Sequence, residues 1–169
     1  MRIRGFEACK GYEDKEIELP IRSTRKSVGY DIKAHEDIVI SSMWKTVFNN
    51  VKIFLSGSKE YEEILPTKIH TGIKAYFQDD EVMIIANRSS GPSKMGLVMA
   101  NSIGIFESDY YCNPDNDGDI IYQYYNLFPR DVIIKKGDKI GQAYFQKFLT
   151  IDNDNARGER IGGIGSTGN

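Results

Sequence analysis

Residues 160–169, RIGGIGSTGN, combine a guanidinium group, glycines and two hydroxyl groups within ten positions. Backbone N–H groups that glycine leaves accessible, together with the side chains of Arg160, Ser166 and Thr167, suit a chain of phosphates. Arg157 is a rival for the same contact. The G-x-G-x-x-G spacing alone does not indicate a dinucleotide site, which also requires a following helix and an acidic residue about 20 positions further on. An unstructured tail is the alternative interpretation.

A second candidate anion site follows an apolar run. The run VMIIA (82–86) predicts a strand, and Arg88, Ser89 and Ser90 come directly after it. A strand that ends in small polar residues presents side chains and N–H groups outward, which suits a negatively charged ligand. The alternative is an ordinary turn in which Arg88 forms a salt bridge.

Carboxylates in two further segments have the chemistry to act beside a phosphate site. Asp31 follows a Gly-Tyr pair, and Glu107 and Asp109 lie two residues apart. If the second segment is extended, both acids point to one side and Ser108 to the other. Such carboxylates hold Mg²⁺ through water or serve as a general base. The acidic run DNDGD (115–119) lacks the Gly and Glu spacing of a calcium loop and predicts a polar turn.

The elements that must position these residues are predicted to be short β-strands. Runs rich in Ile, Val, Phe and Tyr alternate with polar or glycine-containing breaks, and no long stretch shows a clear helical period. Residues 97–105 predict two short strands or a tight hairpin. Many short strands at this spacing indicate a sandwich or barrel, so the fold class is all-β. The other predicted strands are 38–40, 51–55, 67–77, 120–128, 131–135 and 140–149.

Length and composition narrow the function. The 169 residues suit one domain, and a net charge of -2 gives no reason to expect a nucleic-acid or membrane partner. The two cysteines, Cys9 and Cys112, and the two histidines, His35 and His70, lack the close spacing of the common zinc clusters. The first residues lack the apolar core of a signal peptide, which predicts a cytoplasmic protein. Residues 153–169 contain few large apolar groups and are expected to be mobile.

Taken in order, five segments resemble the five motifs of the trimeric dUTPase family. The resemblance spans residues 27–168, and five weak motifs in the family's order form a specific pattern. The five segments are VGYDIKA (28–34), NRSSGPSKMG (87–96), NSIGIFESDYY (101–111), KGDKIGQ (136–142) and RGERIGGIGSTG (157–168).

The resemblance implies a fold, an assembly and a reaction. The fold would be a distorted jelly-roll barrel over residues 1–152, with an insertion at about 41–66. Residues 153–169 would form a flexible glycine-rich arm that closes over a neighbouring subunit's site in a homotrimer. The reaction would be hydrolysis of dUTP to dUMP and pyrophosphate, with Mg²⁺ as the cofactor held by the triphosphate and by waters rather than by direct protein ligands.

The resemblance also implies roles for individual residues. Glu107 would be the general base, and Asp31 would act through water near the metal and the phosphates. Tyr110 would pack under the sugar and reject a ribose 2′-hydroxyl. The remaining implied substrate-binding residues are Arg88, Ser89, Ser90 and Gln142 at the phosphates, Asn101, Gly104, Ile105 and Phe106 in the uracil hairpin, and Arg160, Ile164, Gly165, Ser166 and Thr167 in the closing arm.

Departures from the family pattern keep other functions open. Glu107 stands where the family has Asp, Ile164 stands where it has a stacking Phe, and residues 111–117 intervene before Gly118. These changes favour an alternative in which the chain is a catalytically weak nucleotide-binding protein or a partner of a regulatory protein. A relative that acts on dCTP is a third interpretation, disfavoured by the full fifth motif.

Overall fold

The computed structural model describes residues 2–163, and most of its regular structure is β-strand. The exceptions are helix α1 (Met43–Leu55), a π-helical turn (Gly91–Met95) and a 3-10 turn (Ser108–Tyr110). The strands are β1 (Gly5–Ala8), β2 (Ile21–Arg22), β3 (Tyr30–Lys33), β4 (Ile38–Ile40), β5 (Thr67–His70), β6 (Ile73–Tyr76), β7 (Glu81–Asn87), β8 (Leu97–Met99), β9 (Ile103–Phe106), β10 (Ile121–Asn126), β11 (Val132–Ile134) and β12 (Lys139–Lys147).

Antiparallel pairing arranges these strands around one apolar core. A five-stranded sheet has the order β2-β3-β12-β7-β9, a three-stranded sheet has the order β5-β10-β8, and β1 pairs with β6 and β4 with β11. Ile32, Ile85, Tyr122 and Tyr124 are among the side chains buried between them. The Tyr122 and Tyr124 hydroxyls donate to backbone carbonyl groups of β12, so these two buried hydroxyl groups have hydrogen-bond partners. The all-β prediction is confirmed.

The register of the five-stranded sheet places chemically important residues side by side. Asp31 on β3 is the direct partner of Gln142 on β12, and Gln142 is the partner of Ala86 on β7. Directly paired residues of antiparallel strands project from the same face of the sheet. A Cβ atom on Gly141 would lie 2.2 Å from the Tyr122 ring, so only glycine fits beside Gln142. The close packing of β12 on the core therefore fixes the position of Gln142.

The prediction of a strand at 51–55 is wrong, because these residues form the C-terminal part of α1. The hydroxyl oxygen of Ser42 accepts a hydrogen bond from the backbone N–H of Trp44 at 3.2 Å and caps the helix. The sequence did not predict this helix because β-branched and aromatic residues, which favour strands, are frequent in this part of the chain. The insertion at 41–66 therefore carries a helix on an otherwise β-stranded fold.

Helix α1 leaves an apolar surface in solvent. Trp44, Phe48, Val51 and Leu55 recur at helical spacing and are all exposed, and no residue of the helix is fully buried. The indole N–H of Trp44 donates to the backbone carbonyl of Leu127 at 3.0 Å. Hydrogen bonds therefore contribute to holding α1 on the barrel, since none of its apolar side chains is fully buried.

The predicted strand 67–77 divides into β5 and β6 at Thr71 and Gly72. Gly72 has φ of +68°, and a Cβ atom there would lie 2.3 Å from the Tyr12 ring. The carboxylate of Asp119 accepts from the backbone N–H groups of Thr71 and Gly72, which stabilises the break. The other predicted strands are confirmed within a few residues, and 97–105 forms two short strands, β8 and β9. None of the described helices is long and apolar enough to cross a bilayer.

Candidate active site

One group of predicted site residues, here called the Asp31 cluster, consists of Asp31, Arg88, Ser89, Ser90 and Gln142. Asp31 and Gln142 are neighbours across β3 and β12. Arg88 lies two residues beyond Ala86, the partner of Gln142 on β7. The structure therefore brings residues of the first, second and fourth motifs to one region of the five-stranded sheet.

Asp31 is a nearly buried carboxylate with a cationic partner that the sequence analysis missed. Its side chain accepts hydrogen bonds from the ammonium group of Lys139 at 2.6 Å and from the hydroxyl group of Ser23. Burial by itself raises the pKa of Asp31, but these hydrogen bonds outweigh it and hold the pKa below its usual value. Asp31 is therefore ionised and oriented at neutral pH.

We expect Lys139→Met to lower the free energy of unfolding by about 1–3 kcal/mol at neutral pH, because it leaves a buried carboxylate without its cation. The lowered pKa of Asp31 means that this stabilisation is present above the usual pKa and is lost as the pH falls through the lowered value. Urea unfolding of both proteins down to about pH 3 measures the difference, which should shrink as Asp31 is protonated.

Lys139→Arg is the matched control, since the related motif has Arg at this position and the ion pair would be kept. We expect its free energy of unfolding to stay close to that of the unmodified chain. A loss in Lys139→Met that does not change between neutral and acidic pH would contradict the role assigned to Asp31.

Arg88 and Ser90 lead into a rigid turn. The π-helical turn Gly91–Met95 follows, and Gly96 closes it in the left-handed region with φ of +64°. The guanidinium of Arg88 donates to the backbone carbonyl of Lys139 at 3.1 Å. Within residues 2–163 no carboxylate lies within 4.0 Å of Arg88, so the alternative of a salt-bridged Arg88 is not observed. The other N–H donors of the guanidinium suit an anion.

A second group, here called the Glu107 cluster, consists of Asn101, Gly104, Ile105, Phe106, Glu107, Tyr110 and Arg160. Gly104 and Phe106 are buried, whereas Ile105 is exposed. Gly104 packs so closely that a Cβ atom would lie 2.5 Å from the Ile85 side chain. Asn101 is exposed at the start of the tight turn before β9, where its carbonyl accepts from the Ile103 N–H at 2.6 Å. β8 and β9 lie in different sheets, so residues 101–106 do not form a hairpin of paired strands, and the uracil contact of this segment stays a prediction.

Arg160 bridges the two carboxylates after β9. Its Nη2 lies 2.7 Å from Oε2 of Glu107, and its Nε lies 2.8 Å from Oδ1 of Asp109. The segment is not extended, because Ser108–Tyr110 forms a 3-10 turn, so the condition for placing both acids on one side of a strand is not met. Both acids nevertheless reach the same guanidinium group, and the Ser108 hydroxyl bonds to Asp79 instead. The predicted base is therefore held in an ion pair.

Tyr110 is buried beside these carboxylates. Its ring packs edge-on against Phe106 with a centroid separation of 4.9 Å, and the guanidinium carbon of Arg160 lies 5.4 Å from its ring centroid. Burial raises the pKa of the Tyr110 hydroxyl above its usual value. The ring is therefore a neutral, fixed surface at neutral pH.

The described part of the arm lies against its own barrel. The backbone N–H of Gly163 donates to the carboxylate of Asp115 at 2.7 Å, close in sequence to Tyr110. Arg157 is exposed, whereas Arg160 contacts Glu107. The predicted contacts of Ile164, Gly165, Ser166 and Thr167 lie outside the described residues.

Glu107 and Arg88 lie toward opposite ends of β7 within one chain, whereas the other end of β9 runs toward Arg88, since Ile103 pairs with Ala86. Phe106 pairs with Met83 near the beginning of β7, and Arg88 follows its last residue. Five residues at about 3.3 Å each separate Met83 from Arg88 by roughly 16 Å along the strand. One chain therefore does not bring Glu107 and Arg88 to the same phosphate.

Relatives of the chain decide its family. A deoxyuridine 5′-triphosphate nucleotidohydrolase from Lactococcus lactis subsp. lactis is 40% identical over 170 residues, which cover 99% of both chains. This chain belongs to the dUTPase family. The enzyme of the same name from Paramecium bursaria Chlorella virus 1 is 32% identical over 157 residues, covering 88% of this chain and 89% of the viral one. Protein-family models give no match.

Solved dUTPase structures share the fold. The crystal structure of the Streptococcus mutans dUTPase aligns with a TM-score of 0.71 and 36% identity, covering 88% of this chain and 99% of that one. A mutant dUTPase from phage phi11 of S. aureus, described with a structural Mg(II) ion, aligns with a TM-score of 0.61 at 15% identity over 93% of this chain and 98% of that one. The prediction of a dUTPase-like jelly-roll barrel is confirmed.

Sequence reasoning missed three residues that support the dUTPase site. Lys139 stands where the fourth motif usually has Arg, and that correspondence was the available signal. Asn116 and Asp119 hold the Tyr110 hydroxyl, and nothing in the turn-like run that contains them indicates this.

Proposed function

We propose that this chain hydrolyses dUTP to dUMP and pyrophosphate by attack of water at the α-phosphate, with Glu107 as the general base. The observation that carries the proposal is the full-length relationship to the L. lactis enzyme. The predicted enzyme class, a dUTP diphosphatase, is confirmed by membership of the family.

The Asp31 cluster would bind the triphosphate. Arg88 supplies guanidinium N–H donors, and Ser89 and Ser90 supply hydroxyls at the end of β7. A triphosphate needs its charge neutralised before water attacks, and arginine does this with fixed geometry. Gln142, held beside Asp31 by the register of β12 and β3, would add an amide donor.

The residues present fit Mg²⁺ that is carried by the nucleotide. Within residues 2–163 no group of three or more His, Cys, Asp or Glu side chains is placed to hold an ion. Mg²⁺ usually keeps several waters and takes phosphate oxygens with only one or two carboxylates, so the single carboxylate of Asp31 suits it through water. When bound, the ion supplies charge neutralisation on the phosphates.

Glu107 is suited to the role of general base once Arg160 leaves it. Its carboxylate is exposed at the end of β9, next to the Tyr110 ring, and Arg160 is bonded to it in the described state. Transfer of Arg160 to the phosphates of an incoming nucleotide would free Glu107 and bring a positive charge to the reacting group. Arm closure would then couple substrate binding to exposure of the base.

The separation of the two clusters supports composite sites in a homotrimer. Met83, which pairs with the residue before Glu107, lies roughly 16 Å from Arg88 along β7, further than hydrogen bonds around one α-phosphate can span. A neighbouring subunit would supply the Glu107 cluster to the Asp31 cluster of the first. This proposal concerns the site itself, since a lone chain would be incomplete.

Subunit mixing tests the composite site. Arg88→Ala and Glu107→Gln proteins are each expected to be nearly inactive, whereas refolding them together as an equal mixture should restore about a quarter of full activity, because random assembly pairs intact clusters that often. Light scattering should give a mass near three times 19.2 kDa. An inactive mixture or a monomeric mass would contradict shared sites.

The substrate is tested by pyrophosphate release from dUTP, dCTP, dTTP and UTP with Mg²⁺. The proposal expects turnover of dUTP alone at a useful rate. Tight dUTP binding without turnover would instead support the alternative, a weakly catalytic protein that binds nucleotide or a regulatory partner. A cytoplasmic location remains a prediction from the sequence.

A further inference from the structure

We propose that Asn116 is a positioning residue that fixes Tyr110 and thereby sets the preference for a 2′-deoxy sugar. The inference rests on the proposed function and on the sugar contact that the resemblance to the dUTPase family implies for Tyr110. It concerns the loop 111–119, which contains the departure from the family pattern at residues 111–117. The proposed reaction assigns no step to this loop.

The hydroxyl group of Tyr110 is held from two sides. It accepts a hydrogen bond from the side-chain amide of Asn116 at 2.8 Å and donates to the backbone carbonyl of Asp119 at 3.1 Å. The ring is 6% exposed and packs edge-on against Phe106. With both hydroxyl contacts made and one edge packed, the ring has little freedom to tilt or slide.

Asn116 is itself oriented by its neighbours. Its Oδ1 accepts from the side-chain amide of Asn113 at 2.7 Å and from the backbone N–H of Gly118 at 3.1 Å, which leaves the Nδ2 group directed at Tyr110. Asn113 also donates to the backbone carbonyl of Tyr110 at 2.9 Å. The loop therefore holds both the main chain and the hydroxyl of the same tyrosine.

The other side of this arrangement is anchored to the barrel. Asp119 is 3% exposed, and its carboxylate accepts from the backbone N–H groups of Thr71 and Gly72 between β5 and β6. Nδ1 of His70 lies within hydrogen-bond distance of the same carboxylate, 2.8 Å from Oδ2. Because Asp119 cannot shift without breaking these bonds, its carbonyl is a fixed acceptor for Tyr110.

The position of the Tyr110 ring must be fixed if the ring is to exclude the 2′-hydroxyl group of a ribose by steric clash. A ring that moves by about 1 Å makes room for the extra oxygen of a ribose, whereas a fixed ring meets it with a clash. Deoxyribose lacks this oxygen and does not clash with the ring in either position. Loss of the Asn116 contact should therefore change UTP binding much more than dUTP binding.

The test is Asn116→Ala, with affinities for dUTP and UTP measured by calorimetry in EDTA so that no turnover occurs. We expect the preference for dUTP over UTP to fall by about tenfold, on the scale of one net hydrogen bond, with dUTP affinity changed less than about threefold. The matched control is Asn50→Ala, which loses two hydrogen bonds to Glu62 outside the site and should keep the preference.

A double-mutant cycle with Tyr110→Phe separates positioning from general loosening. Phe lacks the hydroxyl, so Asn116→Ala should have no further effect on the preference in that background. An unchanged preference in Asn116→Ala, or an equal effect in both backgrounds, would overturn the proposal. An intact chain that shows this preference but never hydrolyses dUTP would overturn the proposed reaction and leave the role of Asn116 standing.

Discussion

Glu107→Gln is expected to lower kcat for dUTP by about 10²–10⁴ and to leave nucleotide affinity nearly unchanged, because glutamine keeps the size of the side chain but cannot take a proton from water. Steady-state hydrolysis gives kcat, and calorimetry with dUTP in EDTA gives the affinity. The substitution also removes one of the two carboxylates that hold Arg160, so this effect needs its own control.

Asp109→Asn is that control. Asp109 and Glu107 are both exposed, and their bonds to Arg160 are of nearly equal length, 2.8 and 2.7 Å. If Glu107 is the base, Asp109→Asn should cost less than about tenfold in kcat. Equal losses in the two variants would mean that anchoring of Arg160 matters rather than proton transfer. Full turnover in Glu107→Gln would assign the base to Asp109 or Asp31.

Glu107→Asp examines how the longer side chain is accommodated. One methylene moves the carboxylate by about 1.5 Å if the backbone stays in place, and a misplacement of about 1 Å can cost around 10² in rate. Slower turnover in Glu107→Asp would show that the backbone at position 107 lies further from the reacting phosphate and accommodates the longer side chain. Faster turnover would show that the reach of Glu107 limits the enzyme.

Deleting residues 157–169 is expected to lower kcat by about 10² or more, with a nearly unchanged melting temperature. The deleted segment contains Arg160, which we assign to the phosphates in the closed state, and its sequence includes few large apolar residues. Its ion pairs with the exposed Glu107 and Asp109 add little to stability. Hydrolysis and thermal unfolding of the truncated protein measure the two quantities.

Arg160→Lys and Arg157→Lys refine the same test. Lysine keeps the charge but loses the planar fork with which Arg160 reaches two groups at once. We expect a large loss of kcat in Arg160→Lys and little change in Arg157→Lys, since Arg157 is exposed and Arg160 contacts the Glu107 cluster. Full activity in the truncated protein would refute the closing arm altogether.

The sequence predicted the longer strands because runs of apolar residues mark them, whereas the short strands β1, β2 and β3 were not predicted. β7 and β12 carry that signal in their own residues, and their pairing then fixes which residues are neighbours. Helix α1 was missed because its aromatic and β-branched residues have strand propensity, while its helical character depends on the Ser42 cap and on tertiary contacts.

The candidate site was predictable in its motifs but not in its connections. Arg88, Glu107 and Asp31 stand out by chemical type next to predicted strands. The ion pair between Lys139 and Asp31 joins residues 108 positions apart, and the bond between Arg160 and Glu107 joins residues 53 apart. Such long-range pairs depend on sheet register, which short apolar runs do not specify.

Trp44 is an intrinsic fluorescent probe whose position limits which part of the molecule it senses. It is the one tryptophan in the sequence, and its indole N–H bonds to the carbonyl of Leu127, whose own N–H bonds to the carbonyl of Gly96 at 2.8 Å. Gly96 closes the turn that follows Arg88. Tryptophan emission therefore reports on the end of the barrel where phosphates would bind, and closure of the arm over Glu107 requires a separately introduced label.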